Sequence, residues 1–181
     1  MSIFSNPAAS SKEDATQYTA ALLGLLGERA PLDVLRTTHA ALQEAVVGVE
    51  AAQLALPEAT GKWSVRHVLA HLADSDIVLG WRLRMILAHD RPEITGYDQD
   101  LWAQRLHYDD VDPHDAIASF GVLRRWNLRL VENARAEELA RAGVHAERGE
   151  ESIAHLLKMY AGHDLLHRAQ IARILRAVSA L

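Results

Sequence analysis

Apolar residues recur every three or four positions along most of this chain, and this spacing is typical of amphipathic α-helices. The pattern predicts a first helix from about Ser11 to Leu26. It predicts a second helix beginning at Pro31, because proline suits the first turn of a helix. A third helix begins after the N-cap residue Ser64 and ends near Pro92. Beyond Pro92 the helical spacing is lost for about one tenth of the chain.

The second half of the chain contains two more long helices. The pair Asp112-Pro113, an N-cap acid followed by proline, predicts a helix that continues to Leu130. A last helix is predicted over residues 152–178. The stretch 92–110 is predicted to be an irregular crossover with one short helix, and 142–149 a loop or short hairpin.

These elements predict the fold class directly. No segment shows a convincing alternation of apolar and polar residues bounded by turn signals, so no strand is predicted apart from the hairpin alternative at 142–149. The sequence predicts an all-α four-helix bundle with an additional N-terminal helix and an irregular crossover. Its 181 residues suit one domain, with residues 1–10 as a flexible N-terminal segment and 11–181 as a single helical-bundle domain.

Composition excludes several kinds of partner and chemistry. The chain has no cysteine, so a disulfide, a cysteine-ligated metal and a protein thiol nucleophile are all excluded. The net charge is −5 and no long basic run occurs, which argues against a nucleic-acid partner. No apolar stretch is long enough for a membrane span, and the N-terminus does not resemble a signal peptide. We therefore expect a cytoplasmic protein.

Three histidines are the candidate metal ligands. His163 and His167 are four residues apart on the apolar side of the last helix, so their rings share one helical face. His71 lies at the border of the apolar face of an earlier helix. Two buried rings need partners, since an unpaired buried polar group costs roughly 1–3 kcal/mol. A divalent metal on three neutral imidazoles would satisfy them and leave one coordination position open. The alternative is a set of hydrogen-bonded core histidines.

Three other polar residues, Arg82, His145 and Asp164, each have two alternative roles. Arg82 is a candidate for holding a substrate carboxylate, or else a member of an ion pair. His145 is a candidate catalytic residue that relays a proton, or else a solvated loop residue. Asp164 could accept a proton from a metal-bound ring, or else pair with an arginine. His67 is one helical turn before His71, and we interpret it as a structural first-turn residue.

Two segments resemble the metal-ligand motifs of a known family. WSVRHVLAHLAD over 63–74 resembles the first motif of the DinB/YfiT-like superfamily, and HDLLHRAQI over 163–171 resembles its second. Between them, Arg82 and the segment 92–102 are similar to the family's crossover. His145 falls where related sequences carry a histidine before the last helix. The resemblance extends from about residue 31 onward; His67 departs from it, since relatives often have Glu or Gln there.

The resemblance implies a four-helix bundle that holds a divalent metal, often nickel or zinc, with iron also compatible. Carried over to this sequence, the metal ligands are His71, His163 and His167. Relatives are often homodimers, and characterised members include S-transferases and an isomerase that depend on low-molecular-weight thiols. We therefore expect a metal-dependent enzyme that transfers such a thiol to a small electrophile. A metal-dependent hydrolase is the first alternative, and a non-enzymatic metal-binding stress protein is the second.

Overall fold

The computed structural model describes residues 12–179, and their side chains from residue 15 onward. The predicted flexible segment 1–10 and the predicted helix start at Ser11 lie outside these residues. Helices and strands follow one another in this order: α1 Lys12–Leu26, α2 Pro31–Val46, α3 Ala51–Leu54, α4 Val65–Ala88, β1 Glu93–Ile94, α5 Gln99–Arg105, a 3-10 turn Tyr108–Asp110, α6 Pro113–Leu128, α7 Ala136–Ala140, β2 Ala142–His145, β3 Gly149–Ser152 and α8 Ile153–Val178.

Four long helices, α2, α4, α6 and α8, pack around a shared core, and α1 lies along α8. The predicted bundle with an additional N-terminal helix is therefore confirmed. Side chains at the helix starts explain why the boundaries fall where they do. Ser64 accepts a hydrogen bond from the backbone N–H of His67, Asp112 caps α6 in the same way, and Ser152 caps α8. No helix in the described range 12–179 is long and apolar enough to cross a membrane.

The structure contains a strand, β1, that the sequence did not predict, and the hairpin alternative at 142–149 is confirmed. A small three-stranded sheet has the order β1-β2-β3, with β1 parallel to β2 and β2 antiparallel to β3. The hairpin β2–β3 occupies the stretch predicted as a loop or short hairpin, and Gly149 adopts the positive φ of 79° that the turn requires. Strands of two and four residues are too short to show a period-two pattern, and β1 pairs with a segment 51 residues further along the chain.

The core contains two large apolar clusters separated by a polar layer, and a third, small cluster of Tyr18, Leu22 and Met159 lies between α1 and α8. One large cluster is centred on residues such as Leu35, Leu83 and Ile153, and the other on residues such as Leu42 and Phe120. On each long helix, buried polar residues fall between the two apolar groups: Thr38 on α2, Ser75 and Asp76 on α4, Arg124 and Asn127 on α6, and Asp164 and His167 on α8. Two further buried polar residues of α4, His71 and Arg82, lie about one to two helical turns to either side of Ser75 and Asp76. The polar layer is where the bundle departs from an ordinary hydrophobic core.

Candidate metal centre

Three histidines from two helices meet in the polar layer. The Nε2 atoms of His71 on α4 and His163 on α8 are 3.0 Å apart, and those of His163 and His167 are 3.1 Å apart. One ligand atom from each ring lies within 4.8 Å of the others. The spacing of four residues on α8 places two rings on the same helical face, and the packing of α4 on α8 brings the third to them.

Burial keeps these rings neutral. His71 is 1% exposed and His167 is 6% exposed. Desolvation, reinforced by the neighbouring imidazoles, lowers the pKa of His71 and of His163 well below the ordinary value. Desolvation also lowers the pKa of His167 to about 4. All three imidazoles are therefore unprotonated at neutral pH, which is the form that binds a metal.

The arrangement fits a divalent metal ion. Three ligands of a tetrahedral metal at about 2.1 Å have nitrogens roughly 3.4 Å apart, close to the observed spacings. The Nδ1–H of His167 donates to Gln170 Oε1 at 2.7 Å, so the Nε2 lone pair faces the cluster. The Nδ1 atoms of His71 and His163 are buried without a hydrogen-bond partner. Hydrogen bonds among three neutral rings satisfy this cluster less well than a cation at its centre does.

The role of Gln170 was not predicted from the sequence, although a glutamine three residues after a candidate ligand on the same helix is a recognisable signal.

Asp164 pairs with an arginine, which is the second of the two alternatives that the sequence left open. Its carboxylate accepts hydrogen bonds from Arg124 at 2.5 and 3.1 Å rather than from a histidine ring. Arg124 also donates to Asp76 and to the backbone carbonyl of Leu35, so one guanidinium on α6 holds α2, α4 and α8 together. The role of Arg124 was not predicted from the sequence. The signal was an arginine four residues after the buried Phe120, on the apolar stripe of α6.

His67 does not join the metal cluster. Its Nδ1 lies 2.8 Å from the hydroxyl of Ser64, and its Nε2 lies 3.3 Å from a carboxylate oxygen of Asp109. The residue thus links the start of α4 to the crossover, as its predicted structural role requires.

A partly open cavity of about 60 Å³ adjoins the cluster, with room for roughly four water molecules. His163 forms part of its wall, together with Ser75 and Tyr97. The hydroxyl groups of Ser75 and Tyr97 are 2.9 Å apart, and Ser75 Oγ is 3.5 Å from His71 Nε2. This hydroxyl pair was not predicted, because Tyr97 reaches the site through the irregular crossover.

Arg82 lines the same cavity and is only 6% exposed. It donates to the backbone carbonyl of Thr95 at 2.9 Å and to the hydroxyl of Tyr160 at 3.4 Å. Among the described residues no carboxylate lies within 4 Å of its guanidinium, so the alternative of a direct ion pair is wrong. Its role in holding an anionic group stays a prediction.

His145 is a buried strand residue, so the alternative of a solvated loop residue is wrong. It is 1% exposed, its Nδ1 accepts a hydrogen bond from the backbone N–H of Glu147, and its Nε2 lies 3.4 Å from Arg82. Desolvation, with Arg148 and Arg82 nearby, lowers the pKa of His145 to about 4. A neutral ring at physiological pH is a weak proton donor, and its predicted catalytic role stays a prediction.

The sequence matches known proteins over the region that contains this site. The model of the DinB superfamily matches residues 35–171. "Putative metal-dependent hydrolase YfiT" of Bacillus subtilis (strain 168) is 29% identical over 80% of this chain and 82% of its own length. A protein of Oceanobacillus iheyensis with the same description is 29% identical over 74% of this chain and 77% of its own.

A solved structure agrees with these sequence matches. The structure of YfiT from Bacillus subtilis, described as "a probable metal-dependent hydrolase with an unusual four-helix bundle topology", superposes with a TM-score of 0.74 at 26% sequence identity. The match covers 94% of this chain and 91% of that one. The family model spans His71, His145, His163 and His167. The chain therefore belongs to the DinB superfamily and has the four-helix bundle fold of YfiT.

Proposed function

We propose that this chain is a metal-dependent enzyme that transfers a low-molecular-weight thiol to a small electrophile. The observation that carries the proposal is the cluster of neutral His71, His163 and His167, of which His163 forms part of the wall of a cavity. These three side chains would hold a divalent ion, with zinc and nickel as the first candidates because imidazole suits both. When bound, the ion would supply Lewis-acid activation, which lowers the pKa of a thiol or of water.

The surroundings of the cluster favour a thiol that arrives with the substrate. The chain has no cysteine, so the nucleophile of a thiol transfer must come from solution. In the described part of the chain, no carboxylate hydrogen-bonds to a ring of the cluster; the two nearby acids, Asp76 and Asp164, are held by Arg124. Activation of water commonly requires a general base, whereas a thiol is acidic enough to lose its proton with help from a metal alone.

The residues of the cavity would bind and orient the substrates. Leu156, Met159 and Tyr160 supply an apolar wall that limits the access of water. The Ser75–Tyr97 hydroxyl pair, next to His71, offers a hydrogen bond to the group that faces the cluster. Arg82 supplies a fixed positive charge on the same cavity.

Metal-dependent hydrolysis is a second candidate, and the names of the relatives favour it. His145 is the described group that would take the place of a carboxylate base, because burial lowers its pKa and keeps the ring neutral. A non-enzymatic metal-binding stress protein is the remaining candidate.

One set of measurements separates the three. Protein loaded with zinc, nickel or cobalt is mixed with a thiol and an electrophile such as a chlorinated aromatic compound, and loss of the thiol is followed. Transfer predicts metal-dependent thiol consumption, a change of the visible absorption of the cobalt protein on thiol addition, and loss of both in His163→Ala. Ester cleavage without thiol would indicate the hydrolase, and metal binding without either reaction would indicate the non-enzymatic protein.

A further inference from the structure

Arg82 is a buried cation with hydrogen bonds to neutral groups alone. Its guanidinium contacts a backbone carbonyl, a tyrosine hydroxyl and the ring of His145, and its Nε is buried with no partner. Burying an uncompensated charge is costly unless a partner of opposite charge satisfies it, and a protein retains such a group when a ligand supplies that partner. Arg82 lines the cavity beside the histidine cluster, so a ligand there can reach it.

The contacts of His145 leave a second hydrogen-bond donor without an acceptor. A neutral imidazole has one acceptor nitrogen, yet two N–H donors approach the ring, one from the backbone of Glu147 and one from Arg82. The contact with Glu147 is the shorter, 3.2 Å against 3.4 Å, and assigns the acceptor to Nδ1. The proton of the neutral ring is then on Nε2, which faces a guanidinium that also donates. Two donors that face each other require an acceptor shared between them.

Tyr160 adds a third donor to this group. Its hydroxyl oxygen accepts from Arg82 at 3.4 Å, which leaves the hydroxyl proton free, and its ring lines the cavity. It also lies one helical turn before His163, with the two ring centres 6.1 Å apart. Tyr160 therefore contacts Arg82 through its hydroxyl and lies beside a ring of the histidine cluster.

The charges around these donors indicate a single negative charge on the ligand. Arg148 makes two hydrogen bonds to the buried carboxylate of Glu151, at 2.6 and 3.0 Å, so this pair is balanced. His145 is neutral, and Glu147, which also lines the cavity, has no ion pair with Arg82. One buried positive charge, that of Arg82, remains without a contacting counter-charge. The planar fork of a guanidinium matches the two oxygens of a carboxylate.

We propose that Arg82, His145 and Tyr160 form a subsite for one carboxylate group of the small electrophilic substrate, whose reactive end lies toward His163. The carboxylate subsite stands on the contacts just described, and the assignment of that carboxylate to the electrophile rests on the proposed function. In this subsite His145 donates a hydrogen bond to the substrate and does not relay a proton.

The test measures binding of propionate to the purified protein by calorimetry, with propionamide as the uncharged analogue of the same shape. Propionate should bind at least about tenfold more tightly than propionamide, because a charge-assisted hydrogen bond is stronger than a neutral one. Arg82→Gln should remove this preference. Arg84→Gln is the matched control, since Arg84 is on the same helix and also contacts neutral acceptors, Gly80 O and Asn127 Oδ1. Equal binding of propionate to wild type and Arg82→Gln would overturn the subsite.

Tyr160→Phe keeps the test decisive if Arg82→Gln fails to fold. It removes one hydroxyl from a packed ring, and it should weaken propionate more than propionamide, because a hydrogen bond to a charged acceptor is the stronger one. An equal effect on both ligands would contradict the subsite.

A last comparison separates the two sources of the carboxylate. Zinc-loaded protein is titrated with propionate in the presence of saturating 2-mercaptoethanol, a thiol without a carboxylate. Simultaneous binding is expected if the carboxylate belongs to the electrophile, and mutual exclusion would contradict that assignment. Propionate binding that depends on Arg82 in a protein that binds no thiol would support the subsite and refute the thiol-transfer proposal.

Discussion

The protonation of single imidazole rings determines when this centre can hold a metal. Protons and the metal compete for the same Nε2 atoms, so metal affinity is full where the folded-state rings are neutral and is lost as pH falls through their pKa values. Burial moves those values below the 6.5 of an exposed histidine, to about 4 for His167. The competition window of the folded protein should therefore lie below pH 6.5.

Zinc titrations between pH 8 and 4 test this expectation. The affinity should change little between pH 8 and about 6.5 and should then fall more steeply than for a single titrating group, because three rings compete with protons together. The titrations should be followed by calorimetry in two buffers, so that the heat of buffer protonation is separated. A midpoint of affinity loss at or above pH 6.5 would contradict the neutral, desolvated state of the cluster.

Arg124 shows how one residue connects the whole polar layer. Its removal would leave the carboxylates of Asp76 and Asp164 buried without a cation, and breaking a buried ion pair in this way costs about 3–5 kcal/mol. Arg124→Met should lower the free energy of unfolding by that amount in urea denaturation. Arg125→Met, a change at the exposed neighbouring position, is the control and should change stability by less than about 0.5 kcal/mol. Similar stability of both variants would refute the role of Arg124.

At the scale of elements, the approach of α1 to α8 depends on a glycine. A Cβ atom at Gly162 would lie 2.2 Å from the backbone oxygen of Leu22, which a side-chain rotation cannot relieve. Gly162→Ala should therefore destabilise the protein by about 1–3 kcal/mol, the usual cost of overpacking. It should also displace the α1 wall of the cavity, which includes Tyr18 and Leu22.

Gly24→Ala, a substitution within α1, should stabilise the protein, in contrast to Gly162→Ala. A Cβ atom at Gly24 meets no atom within 4 Å, so alanine should stabilise the helix by about 0.5–1 kcal/mol through its lower entropic cost. Thermal unfolding of the two variants, followed by circular dichroism, checks both signs. Stabilisation by Gly162→Ala would show that α1 does not pack on α8 as closely as described.

The sequence predicted the elements with strong helical patterning and missed those whose placement depends on distant partners. The starts of α4, α6 and α8 follow from a capping Ser64, Asp112 and Ser152, because a cap acts within one helical turn. Strand β1 has only two residues and exists because β2 pairs with it. The short helices α3 and α7 were not predicted, because four or five residues are too few to show a helical period.

Some residues of the candidate site could likewise be predicted from the sequence, and others could not. His163 and His167 could be paired from their spacing on one helix, and His71 was added by its position on a second apolar face and by the family resemblance. The environment of Arg82 could not be predicted, because its contacts come from Thr95 and His145, in the crossover and the hairpin. The sequence identifies the residue types, and tertiary packing decides whether an arginine is paired or free.

At the scale of the whole molecule, two neighbouring helices each expose large apolar side chains. Trp81 on α4 and Trp126 on α6 are 61% and 55% exposed, and Ile77 and Val122 precede them by one helical turn. Because α4 and α6 pack against each other, these side chains suit the interface of the expected homodimer. Trp81→Lys should shift the protein to a monomer in sedimentation equilibrium. Val47→Lys, at an exposed apolar residue after α2, should not; equal behaviour of the two variants would contradict this interface.

Metal binding should stabilise the molecule without being required for folding. The two large apolar clusters lie on either side of the polar layer and do not include the histidines, so the bundle should keep its helical circular dichroism after chelation. Added zinc should raise the melting temperature by mass action, because it binds the folded state. Loss of helical structure on chelation would instead make the centre a structural site.

The most direct test of the metal centre is the stoichiometry and ligand set of the bound ion. Metal-stripped protein is titrated with cobalt, and bound metal is counted by elemental analysis in the wild type and in His71→Ala, His163→Ala, His167→Ala and the control His67→Ala. One ion per chain should bind to the wild type and to His67→Ala, with nitrogen ligands in X-ray absorption, and binding should be lost or weakened at least about tenfold in the other three. Undiminished binding in any of those three, or loss of binding in His67→Ala, would contradict the assignment of the centre to His71, His163 and His167.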